Sequence, residues 1–356
     1  MTPASNESGS GMASAQQNSR DNQLHLPGVK VLPPAARKHL RRWVIDVLRR
    51  DAPAPDYDHP IGDPGLFGPD TITWKIHADF PGMMAGGLGA LMLQSLHPLA
   101  LAGVWDHSDF RTDTLARLRS TIAFVARTSY APREAAEQAI ERVRSVHRHV
   151  HGVAPDGRPY SAEDPHLLTW VHCAEAWSFL RGYQTYCYGR IPRSEQDRYL
   201  HETARVAEAL GARDVPQSLT ELQNYFDSMR PELICNARTR EVLAVLNAIR
   251  LPIPFPGLAR NLFMGAGAAL LPGWALDLMG RSRIDRLRDQ AAARALKLMA
   301  PSIRDAMAEG GLTWRACVRT GADYASLFEW EQSFRMHRVQ QVCCDHDNQQ
   351  RKRTGE

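Results

Sequence analysis

The run MMAGGLGALMLQSLHPLALAGVW, Met83 to Trp105, is as long as a membrane span and almost wholly apolar, yet it carries Gln94, His97 and a mid-segment Pro98. A polar amide, an imidazole and a proline suit hydrocarbon poorly, and a helix that is apolar on all sides belongs inside a protein. A second apolar stretch, LFMGAGAALLPGWALDLMG from Leu262 to Gly280, is interrupted by Pro272 and Asp277. Both read as buried helices, with no transmembrane span.

The rest of the chain also reads as helical. ARKHLRRWVIDVLRR (Ala36 to Arg50) places Leu40, Trp43, Val44, Val47 and Leu48 at helical spacing, which predicts a peripheral helix with a solvated basic face. Residues 51–70, DAPAPDYDHPIGDPGLFGPD, are an irregular loop. From Asp79 onward the spacing predicts helices over Asp113–Ser129 and from Pro132 to a stop at Gly152, an antiparallel pair. Ser161 and Asp164 look like a capping pair for a helix through LLTWVHCAEAWSFLRGYQTY, and Ser194 caps another to about Leu210. Helices at Leu219–Met229, Arg238–Ile249, Leu258–Met279, Arg283–Met299 and Trp314–Val339 follow, with a short helical turn after Pro301. Convincing alternating strands and internal repeats are absent. The expected fold class is therefore all-α: a single large helical domain over 36–340, a disordered N-terminal tail at 1–35 and a polar C-terminal tail at 341–356.

Composition narrows the function classes. A net charge of +4 over 356 residues, with acids and bases interspersed, does not point to a nucleic acid partner. The basic helix and the RKR at Arg351–Arg353 suggest at most weak membrane-surface association. Six cysteines without C-x-x-C spacing fit reduced thiols, and the polar N-terminus lacks the apolar core of a signal peptide, so the expected localisation is cytoplasmic. Cys343 and Cys344 read as incidental thiols, although His346 beside them leaves adventitious metal binding open. No sequence feature sets an oligomeric state.

The stretch RVRSVHRHVHG carries three histidines on alternate positions. Ala139, Val143, Val146, His147 and Val150 recur at three and four, which puts His147 in the predicted buried stripe, His149 on the far face and His151 one turn beyond. A lone buried histidine is more often a hydrogen-bonded core residue than a ligand. On the preceding helix Arg117 and Thr121 are four apart and share a face. Facing a buried imidazole, they could hold an anionic cofactor edge and a small molecule; otherwise they are a surface arginine and a helix-bonded threonine. A di-iron bundle would need two E-x-x-H pairs, and only Glu163 with His166 occurs, at a capping position. H-E-x-x-H, the P-loop and a Rossmann glycine pattern after a strand are all absent.

Taken in order, DPGLFGPDTITWKIHADFPGMMAGG, LMLQSLHPLALAGVWDHSDFRTD, RLRST, RVRSVHRHVHG, YSAEDPHLLTWVH, SEQDRYLHE and LLPGW run from about Asp63 to Gly280. Each piece is loose alone, but in this order the chain resembles the MpaB-like and rubber oxygenase family, which includes the bacterial latex clearing proteins. The resemblance implies an all-α fold with a globin-like core that holds a noncovalent haem b, and no C-x-x-C-H is present for covalent attachment. It places the family's R-x-x-x-T motif at Arg117 and Thr121 and the axial iron ligand at His147, with His151 as the fallback. Ser120 stands where rubber oxygenases carry a distal lysine, so the sixth iron position would be open, water-filled or closed by another histidine. His97 and His172 are the candidates, each also explicable as a packing residue. The implied function is a haem b-dependent oxygenase using O2 on an apolar, isoprenoid-like organic substrate. The alternatives are a non-catalytic haem protein, an oxygen carrier or sensor on the same fold, and a haem-free helical interaction protein.

Overall fold

The computed structural model describes residues 32–48 and 55–328. Residues 1–31 of the tail expected over 1–35, the tail at 341–356 and the later part of the helix expected to reach Val339 lie outside the described residues, while Pro34 and Ala35 already belong to a helix. The molecule is built around two helices, α3 (Phe80–Gln94) and α7 (Pro165–Tyr183), which run in close contact with α11 (Pro256–Ala268) on the other side of α3. Glycine is the reason they come so near. A methyl group on Gly86 would lie 2.8 Å from the Ser178 carbonyl oxygen, and one on Gly267 would lie 2.9 Å from that of Ala85. At Gly82 and Gly182 the two backbones themselves touch. The apolar run is thus glycine-rich because helix backbones, not side chains, meet there.

Both ends of α3 are held by buried polar groups. Asp79 caps it, accepts from Gly82 N at 3.1 Å and pairs with Arg304 at 2.5 Å. Burial pushes the Asp79 carboxyl up and the arginine opposes that shift. At the other end Gln94–His97 turns the chain by 105° into α4 (Pro98–His107), with His97 as N-cap and Pro98 at a first-turn position where no N–H is needed. Among the described residues no single helix is long and apolar enough to cross a membrane; only this bent pair passes together by length and composition.

Around this centre lie α1 (Pro34–Leu48), α2 (Ile72–His77), α5 (Thr114–Tyr130), α6 (Arg133–His147), α8 (Arg193–Leu210), α9 (Leu219–Met229) and α10 (Ala237–Ala248). Helices α12 (Gly273–Leu278), α13 (Arg283–Met307) and α14 (Leu312–Thr320) complete the set. The largest core cluster joins Ile72, Leu93, Trp170, Tyr199, Phe226 and Met264, drawn from α2, α3, α7, α8, α9 and α11. The C-terminal carbonyls of α1 at Asp46 and Val47 accept from the Arg119 guanidinium at 2.9 and 2.7 Å, which docks that basic helix on α5. Arg319, fully buried, donates to the carbonyls of Tyr57, Asp63 and Tyr130 at 2.7–2.9 Å and so ties the loop before α2 to the end of α5.

Several boundaries differ from the sequence reading for local reasons. The helix expected to stop at Gly152 ends at His147, and residues 151–153 pair antiparallel with 159–161 in a small hairpin, Gly152 opposite Tyr160. Gly152 is needed there because a methyl group would lie 2.6 Å from the Tyr160 hydroxyl, not because it stops a helix. The single helix expected over Leu258–Met279 is two, α11 and α12, separated just before Pro272, the N-cap of α12. Conversely, Pro301 does not end a helix: α13 runs through it, and the Lys297 carbonyl that loses its donor lies on an exposed stretch where water can reach it.

Candidate functional site

Helix α7 meets α3 in a closed seam, but toward α5 it stands off. Residues 118–127 of α5 are all half-buried, and only its last three, Thr128, Ser129 and Tyr130, are fully enclosed. Its C-terminal end is anchored by the Tyr130 hydroxyl, which donates to the Trp74 carbonyl at 3.0 Å. The result is a narrow cleft between α5 and α7, closed behind by α2 and α8, with a free volume of about 40 Å³. That is room for water rather than for a cofactor, so α5 and α7 must part for a larger group to enter.

Phe124 and Val125 from α5 and Ala176 and Phe179 from α7 give the cleft apolar walls. Its polar groups are few and desolvated. His77 is fixed by Ser129 Oγ at 2.7 Å on Nδ1 and by Tyr199 Oη at 3.0 Å on Nε2. Burial lowers its pKa to about 3, so it is a neutral, fully satisfied brace with no nitrogen left for a ligand. His172 is different. Its Nε2 is buried without a hydrogen-bond partner, and burial brings its pKa down to about 4, so the ring faces the cleft neutral. Glu175 lies three residues on along α7, hence on the same face, and burial pushes its carboxyl up to about 7.

Of the residues expected from sequence, Arg117 and Thr121 do share a face: Arg117 Nη1 donates to Thr121 Oγ1 at 3.3 Å, and that hydroxyl donates in turn to the Arg117 carbonyl at 3.2 Å. His147, the last residue of α6, has a buried Nδ1 with no hydrogen-bond partner. Burial lowers its pKa and the Arg117 charge lowers it further, while Glu163 acts the other way. Arg117 and His147 are thus near neighbours, at the turn of α5 before the cleft opens at Phe124. His147 is half-buried rather than embedded, because Val146 beside it is 57% exposed. His151 has left the helix for the hairpin, is exposed, and its carbonyl accepts from His107 Nε2 at 3.2 Å. His149 is exposed and bonds the Ser145 carbonyl at 2.9 Å. His97 is not a lining residue; it lies at the start of α4, beside His166 and Glu232.

The sequence reading missed His77, Glu175 and Tyr199. Only Glu175 carried a signal: in WVHCAEAWSFL it is the one acid of an otherwise apolar helix, at i+3 from His172.

Residues 74–304 match the model of a family described as ER-bound oxygenase mpaB/B'/Rubber oxygenase, catalytic domain. The matched span starts within α2 and ends within α13, and it holds every residue discussed above at the cleft. No curated protein and no solved structure matches the chain.

Proposed function

Because the chain belongs to the mpaB/rubber oxygenase family of catalytic domains, we propose that it is a haem b-dependent oxygenase that uses O2 on an apolar, isoprenoid-like organic molecule at the α5–α7 cleft. The observation that carries this reading is two neutral imidazoles, His147 beside Arg117 and His172 in the cleft wall, each with a buried ring nitrogen that has no hydrogen-bond partner. Such atoms cost stability unless something binds them.

The donor set suits a haem. By the family resemblance His147 would hold the iron, while His172 lines the cleft wall. The Arg117 guanidinium supplies the cation for a propionate, and the Thr121 hydroxyl can turn from its backbone carbonyl to donate to a bound ligand. The haem, when bound, supplies oxygen activation. The chain itself excludes water with Phe124, Val125 and Phe179, a surface suited to an alkene chain. Glu175, near half-protonation at neutral pH, can take or return a proton at its carboxylate. An oxygen carrier has no use for such a group, which favours the enzyme over the carrier or sensor.

The test is an absorption spectrum with pyridine haemochrome analysis of the purified full chain. It should show a Soret band and haem b near one per chain. His147→Ala should lose most of that haem while helical circular dichroism persists. If His172→Ala loses it and His147→Ala does not, the axial assignment moves to His172. A colourless chain that also fails to bind added haem rejects the reading. Incubation of the loaded protein with a short isoprenoid alkene under O2 should give a product heavier by oxygen atoms; reversible oxygenation without product would identify a carrier.

A further inference from the structure

Away from the cleft, three side chains from three separate elements converge where α4 begins. His97 is fully buried and its Nε2 has no hydrogen-bond partner, lying 3.4 Å from Glu232 Oε2 at poor bonding geometry. His166, in the first turn of α7, puts its Nε2 3.1 Å from both Glu232 carboxylate oxygens. Glu232 closes the short 3-10 helix 230–232 that follows α9. One donor atom from each residue lies within 4.8 Å of the other two.

We propose that His97, His166 and Glu232 form a mononuclear site for a divalent cation of the zinc type, separate from the cleft and joining the starts of α4 and α7 to the end of α9. Two imidazoles and a carboxylate, with the remaining position left to water, are a known ligand set for zinc. Tetrahedral ligands about 2.0–2.1 Å from the ion sit roughly 3.3 Å apart. The two histidine–glutamate separations, 3.1 and 3.4 Å, already match that edge. The third, between the two imidazoles, closes by a small swing of His166, whose side chain is 45% exposed and free to move.

The arrangement has the other marks of such a site. One ligand is rigid and buried: His97 is held by its position as N-cap and packs against the Trp170 ring at 6.1 Å. The other two face solvent, which gives an ion a route in. In the metal-free chain the His97 Nδ1 accepts from Ala100 N at 3.4 Å, which leaves the ring proton on Nε2, pointing at the carboxylate. Ligation through Nε2 moves the ring proton to Nδ1 and so gives up a long, weak cap. His166 was visible in the sequence only as half of an E-x-x-H pair with Glu163, and its partner in the fold is Glu232, 66 residues away.

Equilibrium dialysis of the full-length protein against Zn2+, followed by elemental analysis, tests this directly. The wild type should retain one Zn2+ per chain, and its thermal midpoint should rise with Zn2+ concentration. His166→Ala and Glu232→Gln should each weaken binding about 100-fold or more, since even outer partners of metal ligands are worth 10–100-fold. His147→Ala should leave zinc affinity unchanged, and His166→Ala should leave haem content and helical circular dichroism unchanged. X-ray absorption at the zinc edge should show nitrogen and oxygen neighbours and no sulfur. The proposal is overturned if the wild type holds no stoichiometric zinc, or if the zinc it holds is indifferent to His166→Ala and Glu232→Gln, or is bound through sulfur.

Discussion

Helix α7 treats two of its neighbours, α3 and α5, oppositely. Toward α3 it offers Ser178 and Gly182, and backbones meet with no room for a methyl group. Toward α5 it offers His172 and Glu175, a polar pair left in an open cleft. Desolvated polar groups without partners destabilise a fold, and a soft helix pair would relieve the cost by collapsing over them. The glycine seam prevents that, because α7 is already pinned against a second backbone along an adjoining face. The closed face therefore supplies the rigidity that keeps the open face open.

The contrast is broken most sharply by adding bulk to each face. Gly182→Val drives side-chain atoms into the Gly82 carbonyl and should cost about 3 kcal/mol of unfolding free energy in urea. Ala176→Val, on the cleft wall, should cost less than Gly182→Val, about 1 kcal/mol, because its extra methyl groups meet the small cleft and side chains rather than a backbone carbonyl. Equal losses would mean that the cleft is as tightly packed as the seam.

Acid should act on the open face. His172 titrates at about 4 in the folded chain, against 6.5 for the exposed group. Between those values the unfolded chain binds a proton that the native chain refuses, so stability falls as pH falls from 6.5 toward 4 and levels below it. The slope from this one residue is about 1.4 kcal/mol per pH unit. His77, lowered to about 3, adds a parallel slope that extends further down. In metal-free, haem-free protein, His172→Phe should remove its share of the slope. An unchanged slope would show that His172 is already hydrated, and the cleft wet.

How much of this was legible follows the same division. The all-α pattern and the burial of the Met83–Trp105 run could be read residue by residue, but that run was expected as one buried helix, and neither its 105° bend before Pro98 nor the glycine contacts of the seam were foreseen. Arg117 and Thr121 share a face because they are four apart on one helix, and that needed no tertiary information. The errors came where distant chain segments decide. His147 seemed embedded because the helix was extended to Gly152, whereas the hairpin partner Tyr160 takes the chain out of the helix first. Pro301 seemed a stop because propensity ignores that its freed carbonyl can face water. The cleft itself, where a helix at 114–130 stands off from one at 165–183, has no local signature, and neither has Glu232 between two histidines.

The stability effect of opposite sign is the most informative about function. Burial raises the Glu175 carboxyl to about 7, so between about 4.5 and 7 the unfolded chain is ionised while the native one keeps its proton. Stability from this residue is complete below 4.5 and is lost as pH rises through 7, opposite in sign to the histidines. Glu175→Gln keeps the shape, cannot ionise, and should stabilise the chain by up to about 3 kcal/mol at pH 7, with no gain at pH 4. If Glu175 moves a proton during oxygenation, the same variant should lose activity about 100-fold, and the pH–rate profile should lose its inflection near 7. Glu175→Gln that is both more stable and fully active would instead make the carboxyl an incidental lining group and leave the cleft's chemistry to the imidazoles alone.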